Sequence, residues 1–265
     1  MKKFIYAVVI ALVITGCAST TNSGAVGVNR SQMMLVSAAE MDKGAAMAYT
    51  KILRESSAKK ALNVDPVQTK RVQKIAKNLI NHVDVFRSDA RNWNWQINVI
   101  KSDEANAWCM PGGRMAVYTG IINKLKLTDA ELAAIVGHEM SHALREHSRE
   151  KASRDQLKNV GIFAVGIATG SNEIANLANM AATYAILLPF SREQETEADN
   201  IGTELMARAG YNPNSAINVW KKMSALNSKQ PLEFMSTHPS HSSRIANLTK
   251  IAQKLNPIYL AAKKN

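Results

Sequence analysis

The chain has 265 residues, 33 Lys and Arg against 21 Asp and Glu for a formal net charge of +12, and 46% hydrophobic residues, enough for one globular domain with appendages. Its cationic residues are spread along helical stretches without interleaved aromatics, so they read as solvated helix faces and exclude nucleic acid as a partner. Only Cys17 and Cys109 are present, in unlike contexts, and no disulfide is expected.

Met1-Lys2-Lys3 precedes an apolar run at residues 4–14 that has signal-peptide length and is too short for a membrane span. Ile14-Thr15-Gly16-Cys17 resembles the bacterial lipobox, in which the cysteine is lipidated and becomes the mature N-terminus. Ala18 in place of aspartate resembles lipoproteins sorted to the outer membrane, held by acyl chains on Cys17 without a spanning helix. Residues 18–29, rich in Ser, Thr, Asn and Gly, read as a tether.

Helical spacing of apolar residues predicts a first helix over 31–57. Asp65-Pro66 marks the start of a second, with Val72, Ile75, Ala76, Leu79 and Val83 on one face and His82 at the surface. The period then changes to two: Trp93, Trp95, Ile97 and Val99 alternate with polar residues as a strand. Residues 106–110 and 114–119 read as two more strands around the turn Pro111-Gly112-Gly113.

Thr128 with Glu131 forms a capping box, and Leu127 with Leu132 a hydrophobic staple, at the head of the next helix. This helix carries His138-Glu139-Met140-Ser141-His142. Histidines four apart lie one above the other and can bind one zinc ion, while Glu139 can act as general base toward water at an open position. Beyond it, residues 160–169 and 181–190 are apolar but too short to span a bilayer, and read as buried or interfacial helices. Helices follow over 191–210, from Asn212-Pro213 to about 226, and over 243–255, with Thr237-His238-Pro239 in a loop.

A third ligand is required. A metzincin continuation needs a glycine at 145 and a histidine at 148, where Arg145 and Ser148 stand, leaving His147 structural or exposed. Glu195 with Asp199 supplies a ligand and a hydrogen-bond partner for a ligand histidine, but Glu193 with Glu197 has the same spacing, and helical geometry leaves both pairs open. Cys109, on a strand, ranks below Glu195.

HEMSH followed by SREQETEADNIG resembles the minigluzincin zinc metallopeptidases, the family of the CAAX prenyl protease and HtpX. Asn106-Ala107-Trp108-Cys109-Met110-Pro111-Gly112-Gly113 resembles the same family's segment before the active-site helix, although Cys109 stands where an apolar residue is usual. The resemblance covers roughly 31–255, and the lipobox points to its outer-membrane lipoprotein branch. It implies a mainly helical α+β zincin-type fold with a small three-stranded sheet beside the HExxH helix. The implied ligands are His138, His142 and Glu195 holding one Zn2+, with Asp199 supporting a histidine and Glu139 as base. His238 or Arg244 is expected to stabilise developing negative charge, His238 alternatively filling the fourth zinc position at rest.

The expected organisation is a lipoprotein signal peptide at 1–16, a lipidated N-terminus and tether at 17–30, and a metallopeptidase domain at 31–265. Substrate would add as a strand along Asn106, Ala107, Trp108, Cys109 and Met110, a mode that accepts any extended peptide. The resulting expectation is an endopeptidase at the periplasmic face of the outer membrane, acting on unfolded or misfolded envelope proteins near the outer-membrane assembly machinery. Two other readings stay open: an anchored chaperone with little proteolysis, and a hydrolase of small substrates.

Overall fold

The structure, a computed structural model, describes residues 17–158, 173–227, 232–239 and 242–264; the expected signal peptide, the apolar run at 160–169 and His241 lie outside them. The chain starts with a strand β1 at Cys17–Ala18, paired antiparallel with β2 at Gln32–Met33. Residues 19–30, most of the stretch expected over 17–30 as lipidated N-terminus and tether, are packed on the body. Val26 and Val28 are buried, the Asn22 N–H donates to the Phe86 carbonyl, and the Ala25 and Val26 N–H groups donate to the Glu204 carboxylate at 3.0 and 2.9 Å. The polar composition of this stretch hides two apolar residues spaced to face one side.

Helix α1 runs over Ala38–Ala58 behind the N-cap Ser37, so it begins seven residues later than the apolar spacing suggests because Gln32–Met33 is taken by strand pairing. Helix α2, Pro66–Ile80, is capped by the Asp65 side chain, which accepts from the N–H groups of Val67 and Gln68. Its buried residues include Val72, Ile75, Ala76 and Leu79. The expected first sheet strand is shorter than its alternation: β3 is Gln96–Ile100, and Trp93 and Trp95 stack on each other just before it, 5.5 Å between ring centroids.

Strands β4, Ala107–Met110, and β5, Arg114–Tyr118, form the expected antiparallel hairpin, and β3 joins β5 in parallel, giving the order β3-β5-β4. The turn needs Gly112 and Gly113 at φ +76° and +81°, a region that suits glycine. Alternate residues of β4 enter two cores. Ala107 and Cys109 join the main core, whereas Trp108 and Met110 pack with Ala45, Tyr49, Ala181 and Ala185. A sheet covered on both faces buries every residue of such a strand.

Short helix α3, Thr119–Lys124, leads to α4, Asp129–Leu144, whose capping box between Thr128 and Glu131 is complete. Everything from Glu131 to Leu144 in α4 is buried, since α2, β4 and two later helices surround it. Glu146, at φ 50°, turns the chain into α5, His147–Lys158. Helix α6, Glu173–Ala182, gives way to a π-helical turn at Thr183–Leu187, so the apolar stretch expected as one helix from 181 to 190 is irregular.

Helix α7, Arg192–Arg208, starts with a second capping box, Ser191 with Gln194. It crosses α4 at Gly137 and Gly202, where a Cβ added to Gly202 would lie 2.7 Å from Gly137 C and His138 N. Contact this close requires glycine and draws the two site-bearing helices together. Helices α8, Asn214–Asn227, α9, Glu233–Thr237, and α10, Ser242–Ala262, close the bundle. The last continues through Pro257, past its expected end, with Ile258 and Tyr259 still packed against the main core. No helix of the described residues is long and apolar enough to cross a membrane.

Candidate metal centre

Four buried side chains from three parts of the chain converge. His138 and His142 come from α4, Glu195 from the first turn of α7, and His238 from the end of α9. One ligand atom from each lies within 4.8 Å of all the others. His138 Nε2 is 3.1 Å from His142 Nε2 and 3.2 Å from His238 Nδ1, and Glu195 Oε1 is 3.0 Å from His238 Nδ1 and 3.5 Å from His142 Nε2. Tetrahedral zinc with bonds near 2.0–2.1 Å requires donors about 3.3 Å apart. The donor set therefore fits zinc in both spacing and chemistry, three imidazoles and a carboxylate being the ligand types this ion takes.

Glu139 is 1% exposed and its Oε1 has no hydrogen-bond partner among the described residues; that oxygen is 3.4 Å from His238 Nε2. Burial pushes its carboxyl up from the ordinary range, as a proton acceptor for catalysis requires. Burial would also raise Glu195, but His238, Arg244 and His138 outweigh it and hold its carboxyl well below the ordinary range.

Of the two acidic pairs left open by spacing, α7 directs Glu195 and Asp199 inward, one turn apart. Asp199 Oδ1 is 3.0 Å from His138 Nδ1. Arg244 grips Asp199 with Nε at 2.8 Å and Nη2 at 2.6 Å, while Nη1 donates to Glu195 at 2.5 Å and to the Pro239 carbonyl. Its guanidinium also lies 3.6 Å over the Trp220 ring. With four donor contacts on these partners, Arg244 braces two carboxylates.

Cys109 is buried on β4 outside the donor group, and burial pushes its thiol well up. His82 lies just beyond the end of α2 and does not join the donor group. His147, read from the sequence as structural or exposed, is fully buried with Nδ1 2.9 Å from His142 Nδ1 and Nε2 3.0 Å from Glu197 Oε2. The signal for it was weak, because the five-residue step from His142 crosses the break at Glu146.

Phe190 stacks on His142 at 3.9 Å and Phe234 on His238 at 4.3 Å between ring centroids. β4 occupies the outer position of its sheet, but the π-helical turn Thr183–Leu187 packs against it and the strand is wholly buried. Lys151 holds this cover: its Nζ donates to the carbonyls of Tyr184 at 2.9 Å and Leu188 at 2.6 Å and lies over the Phe190 ring. Burial brings the Lys151 ammonium down to about 7.

A model of peptidase family M48 matches residues 66–252. Mitochondrial metalloendopeptidase OMA1 of Schizosaccharomyces pombe is 37% identical over 157 residues, 58% of this chain and 45% of that protein. The protein of that name from Saccharomyces cerevisiae is 32% identical over 173 residues, 62% of this chain and 49% of its own length. Beta-barrel assembly-enhancing protease of Escherichia coli O157:H7 is 27% identical over 222 residues, 79% of this chain and 43% of that protein. The chain thus spans less than half the length of these three relatives.

Proposed function

The chain belongs to peptidase family M48, and from that premise we propose that it is a zinc endopeptidase in which His138, His142 and Glu195 hold the ion and Glu139 is the general base. The observation that carries the proposal is the buried Glu139 carboxylate, whose Oε1 has no hydrogen-bond partner among the described residues, beside a donor set of zinc dimensions. When bound, zinc supplies Lewis acidity toward water and the scissile carbonyl.

Glu139 Oε1 takes the proton of the attacking water and returns it to the leaving amine. Asp199 keeps the His138 proton on Nδ1, so that Nε2 faces the ion, and Arg244 fixes Asp199 and Glu195 in place. His238, whose Nδ1 lies 3.2 Å from His138 Nε2 and 3.0 Å from Glu195 Oε1, would be a further ligand to the ion at rest and would have to give way to water for hydrolysis. Substrate adds along the edge of β4, Asn106 to Met110, once the turn at Thr183–Leu187 moves aside.

The site is placed by this reading in the bacterial envelope, with the chain held at the periplasmic face of the outer membrane through lipid on Cys17. Its clients are unfolded or misfolded envelope proteins, near the outer-membrane assembly machinery. The lipobox-like Ile14 to Cys17 and the likeness to the assembly-enhancing protease of Escherichia coli support this, while the mitochondrial relatives share only the peptidase part of the argument.

The test compares wild type with Glu139→Gln for bound zinc and for cleavage of an unfolded protein. Equal zinc in both, with cleavage lost at least a thousandfold in the variant, is the expected result. Absence of zinc from the wild type would refute the reading. The closed site favours a second reading, an anchored chaperone that cleaves little; it predicts client binding unchanged by Glu139→Gln and no cleavage even after His238→Ala.

A further inference from the structure

His142 presents its two ring nitrogens to different neighbours. Nε2 faces the donor set, 3.1 Å from His138 Nε2, and Nδ1 lies 2.9 Å from Nδ1 of His147. An imidazole that gives Nε2 to a metal carries its proton on Nδ1. That proton needs an acceptor, and His147 Nδ1 is the atom in reach. His147 must then carry its own proton on Nε2, which lies 3.0 Å from Glu197 Oε2. Every donor in this sequence meets an acceptor, and only one arrangement of the protons allows it.

The far end is fixed as well. Arg30 donates to Glu197 from Nε at 2.9 Å and Nη2 at 3.0 Å, and Arg145 donates from Nη2 at 3.2 Å. Arg145, fully buried, also donates to Ser19, Thr21 and the Arg30 carbonyl. Glu197 is two residues beyond Glu195, about 200° around the helix, and so cannot reach the ligands directly. His147 bridges that gap.

We propose that His147 is a positioning residue for the metal ligand His142, the middle of a relay from His142 Nδ1 through the His147 ring to an arginine-clamped Glu197. It parallels the direct link from His138 to Asp199 and Arg244, with an imidazole interposed. The inference rests on the zinc reading above and extends it to a residue outside the donor set.

The experiment uses the full chain and zinc itself, with the dissociation constant read by competition with a chromophoric chelator and the metal-free melting temperature read separately. His147→Phe fills the volume but breaks the relay; zinc affinity falls 10- to 100-fold. His147→Gln offers an acceptor oxygen and a donor N–H in the same order and restores affinity to within threefold of wild type. A purely packing role predicts the reverse ranking. In the cobalt-substituted wild type, the His142 Nδ1 proton gives a shifted, slowly exchanging resonance, a readout that needs no variant. Equal affinity of His147→Phe and wild type, no rescue by glutamine, or fast exchange of that proton overturns the relay alone. A wild type that binds no zinc overturns both readings.

Discussion

Asp199 and Glu150 are two buried carboxylates whose replacement has different consequences. Asp199→Asn keeps the shape but removes the charge that orders His138 and balances Arg244; zinc affinity is expected to fall about 10- to 100-fold in a chelator titration. Glu150, linked to Arg30, Gln32, Gln194 and Arg154, contributes to stability instead. Burial would raise its carboxyl, but Arg30, Gln194 and Gln32 bring it down to about 2 from an ordinary 4.5. Between those values the unfolded chain binds a proton that the folded chain does not. The stabilisation is therefore complete above about pH 5 and is lost as pH falls from 4.5 toward 2. Urea midpoints should show Glu150→Gln less stable by about 2 kcal/mol at pH 7, after solvent screening at Arg30, with the gap closing in acid. His138 and His142 were legible because metal chemistry demands particular residue types at helical spacing, whereas Glu195 and His238 followed only from the family resemblance, spacing alone having left Glu193 with Glu197 open. His147 and Glu197 were not legible, since their roles follow from a left-handed residue and a helix crossing that local spacing does not encode.

Among the elements, the crossing of α4 and α7 decides whether a site exists. Gly202→Ala sets a methyl against the Gly137 and His138 backbone, and repacking is expected to cost roughly 1–3 kcal/mol. Because the same crossing sets Glu195 beside the histidines, zinc affinity should fall with the melting temperature; a variant that loses stability but keeps affinity would separate the two. Helix starts were readable at Asp65, Thr128 and Ser191, where capping side chains state the boundary. Strand β3 was less so, as the alternation of Trp93 and Trp95 belongs to a stacked pair ahead of the ladder. The close of β4 by Thr183–Leu187 was invisible, because a sequence pattern names an edge strand without naming its neighbour.

For the whole molecule, an ion held by side chains of α4 and α7 favours the folded state by mass action. Chelation should lower stability by about 4 kcal/mol relative to zinc at a thousand times its dissociation constant, measured by calorimetry with and without chelator. An unchanged transition would mean that the ion, if bound, does not bridge the helices. The packed segment at 19–30 bears on geometry at a larger distance. Twelve flexible residues would give a reach of roughly 20 Å. Here Cys17 is instead paired with Met33, and the residues that follow it are bonded to Phe86, Arg145 and Glu204. On the lipid-anchored reading, this leaves no slack between membrane and body. The metal centre would then stand at a fixed height and tilt above the lipid surface, reached only by chains that come to that layer.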